Sequence, residues 1–131
     1  MAKTNKSETY KKIEKDALIK KEIKMIKSLI ADVDKEKIKG MSSLIDNAAF
    51  MAVELKELMQ IIHRDGVTVE YQNGENQFGV KRSPEIEIYN TMIKNYVTTM
   101  SKILDQSPKG QKLIDDGFED FITNGKSKGK K

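Results

Sequence analysis

The chain has no cysteine and no tryptophan, one histidine and two prolines, and no apolar run near the roughly 18–20 residues a membrane span requires. Without cysteine there are no disulfides and no thiolate metal sites. The single histidine, His63, has no second histidine to share a metal with and no evident serine to activate. The first residues, MAKTNKSETYKK, lack the apolar stretch of a signal peptide, so a soluble cytoplasmic protein is expected. No cofactor, metal or small-molecule substrate is expected, and the chain does not read as an enzyme.

What is present is charge. Charged residues make up 34% of 131 positions and apolar residues 37%, enough for one domain with a thin core rather than a thick globule. Such a balance suits long helices that finish burying themselves against copies of one another. The charge is also uneven. Residues 1–39 hold 12 lysines and 7 acids, residues 40–106 hold 6 basic and 9 acidic side chains, and residues 107–131 hold 6 lysines and 4 acids. Basic ends around an acidic middle point to an anionic partner met by the termini. The plainer alternative is a lysine-rich surface that only keeps the chain soluble.

Periodicity divides the chain into helices. Residues 1–6 have nothing to bury and are expected to be disordered, as is the tail NGKSKGKK. Ser7 is a candidate cap for a helix from Glu8, along which Ile19, Ile23, Ile26, Ile30 and Val33 recur at steps of four and three. Upstream, Tyr10, Ile13 and Ala17 continue this stripe only after a shift of phase. Asp34 is the next candidate cap. The helix after it carries Ile38, Met41, Ile45, Ala48, Ala52, Leu55, Met59 and Ile62 on one stripe, with Leu44, Met51 and Leu58 beside it. Gly40 can bend or split this helix, and Gly66 ends it, with His63 and Arg64 in the last turn where cations are favoured.

The stretch from Val67 to Arg82 changes period. Val67, Val69 and Tyr71 alternate with polar residues, Phe78, Val80 and Arg82 alternate on the return, and QNGENQ supplies the turn. A lone two-stranded hairpin is marginal in water, so its apolar face is expected to be covered by the helices or by a neighbouring subunit. Val67, Val69, Tyr71, Phe78 and Val80 are therefore candidate oligomer-interface residues. Ser83-Pro84-Glu85 then opens a helix with Ile86, Tyr89, Ile93, Tyr96, Met100 and Ile103 on one face. The expected fold is mainly α: residues 35–65 and 84–105 as a long antiparallel pair joined by a β-hairpin, with a basic N-terminal helix and a short C-terminal helix after Ser107-Pro108. Three segments follow: 1–33, 34–106 and 107–131.

The chemistry-bearing patterns are few. The GKS at Gly125 lacks a nucleotide-binding loop's first glycine, because Asp120 stands there. Asp115, Asp116, Glu119 and Asp120 read as a solvated acidic face or a docking patch before they read as a cation site. The basic N-terminus is the better signal. Lys3, Lys6, Lys11, Lys12, Lys15, Lys20, Lys21, Lys24 and Lys27, with Lys81 and Arg82 of the hairpin, are candidates for phosphate contacts that read no bases. The lysines are expected to face several directions of the helix.

With these residues in view, the chain resembles the phage terminase small subunits of the P27-like family, in a branch associated with phages of Gram-positive hosts. The resemblance is carried by residues 44–104. It comprises a long helix centred on AAFM, a glycine exit, the NGENQ turn, the KRSPEIEIYN opening of the second helix, and KNY within it. Where related sequences carry a GLTP-like turn, this one has LDQSPKG. The resemblance implies a non-catalytic protein that binds viral double-stranded DNA at the packaging start site, forms a homo-oligomeric ring, and recruits and regulates the large ATPase-nuclease subunit. It implies action in the cytoplasm of the infected bacterial host. On that reading Leu113, Asp115, Asp116, Phe118, Glu119, Asp120, Phe121 and Ile122 are the candidate large-subunit docking residues. The alternative from the stripes alone is a helical coiled-coil scaffold without DNA-binding activity. A dimeric helix-turn-helix regulator is less well matched, because the long stripes offer no short recognition helix.

Overall fold

A computed structural model describes residues 11–115 as five helices and one hairpin. In order these are α1 (Lys12–Leu29), α2 (Lys35–Gly40), α3 (Ser42–Asp65), β1 (Thr68–Gln72), β2 (Phe78–Arg82), α4 (Pro84–Leu104) and α5 (Pro108–Asp115). The helix start assigned to Ser7 and the expectations for residues 1–6 and for the tail lie outside the described residues. No helix among those described is long and apolar enough to cross a membrane.

Local chemistry accounts for the boundaries. At α1 the Glu14 carboxylate reaches back to accept the Lys11 N–H at 3.3 Å, covering a donor that the helix leaves open. Asp34 holds the N-cap position of α2, although its side chain makes no capping bond. At Gly40 the chain takes the second of its two options and splits: Met41, at φ −99° and ψ 8°, separates α2 from α3. Gly66 ends α3 at φ +88°, a conformation that strains any residue with a Cβ, and its N–H bonds the Ile62 carbonyl at 2.7 Å. Ser83 starts α4 by accepting the Ile86 N–H at 3.1 Å, with Pro84 at the first helical position. The Ser83 N–H also reaches the Val67 carbonyl at 2.8 Å and closes the open end of the hairpin.

The long pair forms as expected, but it is not alone: α1 packs along α3 as well as α4 does. Lys15, early in α1, meets Glu54 and Glu57 late in α3, whereas Ile26 and Ile30 cluster with Met41 and Ile45 at the start of α3. Met100, Ile103 and Leu104 from the end of α4 join the same cluster. Both flanking helices therefore run antiparallel to α3. The described residues of the first segment, 11–33, and residues 34–106 thus contribute to one core.

This arrangement corrects the apolar stripe of α3. Leu44 and Met59, assigned to the core, are exposed, while Ala49, Val53, Glu57 and Ile61, off the stripe, are buried. The extra burial has a direct cause, because α1 covers a flank that a two-helix packing would leave in water. In α1 itself the phase shift matters as expected: Ile26 and Ile30 are fully buried and Ile13 is exposed.

The hairpin is also corrected. Its five-residue loop, 73–77, is closed by the Asn73 N–H on the Gln77 carbonyl at 2.7 Å and pairs Val69 with Lys81, Tyr71 with Gly79 and Gln72 with Phe78. Cross-strand partners share a face. Val69 and Tyr71 therefore lie with Gly79 and Lys81, whereas Phe78 and Val80 lie on the opposite face with Glu70 and Arg82. There is no single apolar face, because an odd loop length shifts the returning strand by one residue. Among the described residues no helix packs on the hairpin as the helices pack on one another.

Candidate nucleic-acid interface

Helical spacing places the α1 lysines more narrowly than their number suggests. Positions 20, 24 and 27 follow steps of four and three and share one side of the helix, with position 21 beside them. Lys20, Lys21, Lys24 and Lys27 are exposed, and together with Ala17 and Ile23 they line an open trough of about 400 Å³. The adjoining side of α1 carries Ile19, Ile26 and Ile30 into or against the core, with Ile23 at the border of the two, so the bundle fixes which way the lysines face. Four ammonium groups on one rigid surface suit a row of phosphates, which attracts cations without requiring a bonding geometry from them.

Lys15 does not belong to that surface. Its ammonium lies 2.7 Å from the Glu57 carboxylate and 3.0 Å from that of Glu54, and its side chain is only 27% exposed. Burial alone would push the Lys15 ammonium below its ordinary value. The hydrogen bonds to Glu57 and Glu54 outweigh that and hold it above. A cation neutralised twice by its own chain is a strut between α1 and α3, and it is removed from the phosphate candidates for that reason. Lys12 is partly engaged, 3.3 Å from Asp16 one turn along, in an exposed pair of small energetic weight. Lys11 is exposed at the N-cap. Lys3 and Lys6 lie outside the described residues.

The hairpin cations separate. Lys81 sits 5.5 Å from the centre of the Tyr71 ring, a cation–π distance, and strand alternation places Arg82 on the other face. The basic pair therefore does not act as one patch. The Tyr71 ring also lies over Gly79, where an added Cβ would fall 2.6 Å from ring atoms.

Of the docking candidates, Leu113 is half-buried against the core and Asp115 is the last residue of α5. Asp116, Phe118, Glu119, Asp120, Phe121 and Ile122 lie outside the described residues. Sequence reasoning missed the anchor of this end. The Asp32 carboxylate, in the turn after α1, accepts the Lys109 N–H at 3.1 Å, and the Lys109 ammonium donates to the Ser28 carbonyl at 3.2 Å. Nothing local predicts a bond between residues so far apart in sequence. Tyr96 of α4 approaches α1 as well: burial pushes its hydroxyl up, and the Glu22 carboxylate pushes the same way. Among the described residues no group of three or more potential ligands is placed to hold a metal ion. No family model, curated protein or solved structure matches this chain.

Proposed function

We propose that the chain is the non-catalytic small subunit of a viral DNA-packaging terminase, binding viral duplex DNA through α1 in the cytoplasm of the infected host. The observation that carries the DNA-binding part is the exposed row Lys20, Lys21, Lys24 and Lys27 on a helix whose isoleucine stripe is held against the core. The terminase assignment rests on the resemblance over residues 44–104. The large uncovered apolar side chains, among them Phe50 and Phe78, support assembly of the subunit into a ring. Recruitment of the large subunit is assigned to the segment from Leu113 onward.

The test is duplex binding against salt. Replacing Lys20, Lys21, Lys24 and Lys27 by glutamine should weaken binding to a short duplex. It should also lower the slope of log K against log salt by about 0.9 for each phosphate left without a lysine. A slope that does not move removes α1 from the interface. A wild-type chain that assembles but ignores duplex and leaves the large subunit's ATPase unchanged is the scaffold of the alternative reading.

A further inference from the structure

The hairpin leaves an apolar projection uncovered, and the α3–α4 pair leaves an apolar recess unfilled. Phe78 and Val80 share one face of β2 at 71% and 65% exposure, so neither is seated against its own helices. Met51, Ile88 and Met92 line a shallow, open groove of about 450 Å³ together with Glu87, Thr91 and Asn95. Within it Ile88 is 49% exposed. The groove has room for a phenyl ring, and thioether side chains such as Met51 and Met92 adapt their shape to an aromatic guest. Charge agrees with shape: Arg82 shares the face of Phe78 and Val80, and Glu87 lies among the groove residues.

We propose that the Phe78–Val80 face of one hairpin seats in the Met51–Ile88–Met92 groove of a second copy of the chain, with Arg82 beside Glu87. Projection and recess are different surfaces, so each subunit gives a hairpin to one neighbour and receives one from another. That is the head-to-tail contact from which rings close. The contact rests on the reading that the chain assembles with itself, and it names the surfaces that meet.

The natural absence of cysteine makes the test specific, since engineered thiols have no competitors. Full-length Phe78→Cys and Ile88→Cys chains are mixed and gently oxidised, and the mass of the unmodified chain is followed by light scattering. A disulfide joining the two variants is expected. A disulfide only between two Phe78→Cys chains would mean that hairpin pairs with hairpin, which overturns the contact. An intact assembly with no mixed disulfide also overturns it and leaves self-assembly standing, whereas a monomeric unmodified chain overturns both. As a second variant, Phe78→Asp should reduce the assembly to monomer with unchanged helical circular dichroism, because Phe78 supports nothing in its own subunit. An unchanged mass for that variant counts against the proposal.

Discussion

The carboxylate of Asp32 caps α5 by accepting the main-chain N–H of Lys109, across 77 positions of sequence. A helix start carries open N–H groups and the positive end of the helix dipole, so an anion placed there is stabilised twice. Ser107, fully buried, bonds both Asp32 and the first turn of α5. Its oxygen accepts the Gly110 N–H at 2.7 Å, and its hydroxyl bonds Asp32. The turn after α1 and the start of α5 are thereby joined at one end of the bundle.

This cap has a pH signature. Lost hydration works to raise the Asp32 carboxyl, but the Lys109 N–H, the Ser107 hydroxyl and the Lys109 charge outweigh it and hold the group below its ordinary value of 3.8. A depressed folded value means that the stabilisation is complete above 3.8 and is lost as pH falls through the folded value. Asp32→Asn, which keeps an acceptor without the charge, should melt below the parent at neutral pH, and the gap should close on acidification. A gap independent of pH in circular-dichroism melts would show that geometry alone matters here.

Gly110 should tolerate no side chain. A Cβ there would fall 2.8 Å from the Leu104 Cα and would also strike the Leu104 carbonyl oxygen, both of them main-chain atoms that cannot swing away. Gly110→Ala is expected to cost about 1–3 kcal/mol, as overpacked sites do. Amide exchange should localise the loss to residues 111–115. Normal protection there would mean that α5 repositions freely on α4.

The α1 lysines should divide into two classes. Lys15→Ala leaves the buried Glu57 carboxylate without its cation and should destabilise the fold by about 1–3 kcal/mol, with no change in the salt dependence of duplex binding. Lys20→Ala and Lys24→Ala should change stability by less than about 0.5 kcal/mol, as exposed substitutions do, and should lower that dependence. Urea denaturation and anisotropy titrations on the same three variants decide the matter, and the reverse pattern would exchange the two assignments.

Two glycines should respond oppositely to alanine. Gly66, at φ +88°, has open space around it, so strain alone sets the outcome, and Gly66→Ala should cost about 1–3 kcal/mol. Gly40 has equally open space and no such angle. There alanine should stabilise by roughly 0.4–1 kcal/mol through the unfolded chain. Thermal melts of both variants under one condition are sufficient.

What could be read from the sequence was whatever local chemistry fixes. Ser83-Pro84 marks the start of α4, Gly66 marks the exit from α3, and the isoleucine steps of α1 identify Ile26 and Ile30 as core. The hairpin's place was legible from Asn73-Gly74 and the alternating apolar residues, but its register was not. Only the geometry of the 73–77 loop decides whether Phe78 shares a face with Val69, and it does not. Lys15 and Lys20 look alike in the sequence. What separates them is Glu57, a buried acid on a different helix and outside the expected stripe. Helical period says how residues share a side, not how many neighbours that side meets. A third helix against α3 therefore stayed hidden, and so did the bond from Asp32 to Lys109.

The shared core also governs the order of events during synthesis. Ile26 and Ile30 leave the ribosome long before Met100, Ile103 and Leu104 have been made, yet these residues are buried against one another. Helix α1 can settle on α3 once Asp65 has emerged, but Ile26 and Ile30 are closed off from water only when the end of α4 arrives.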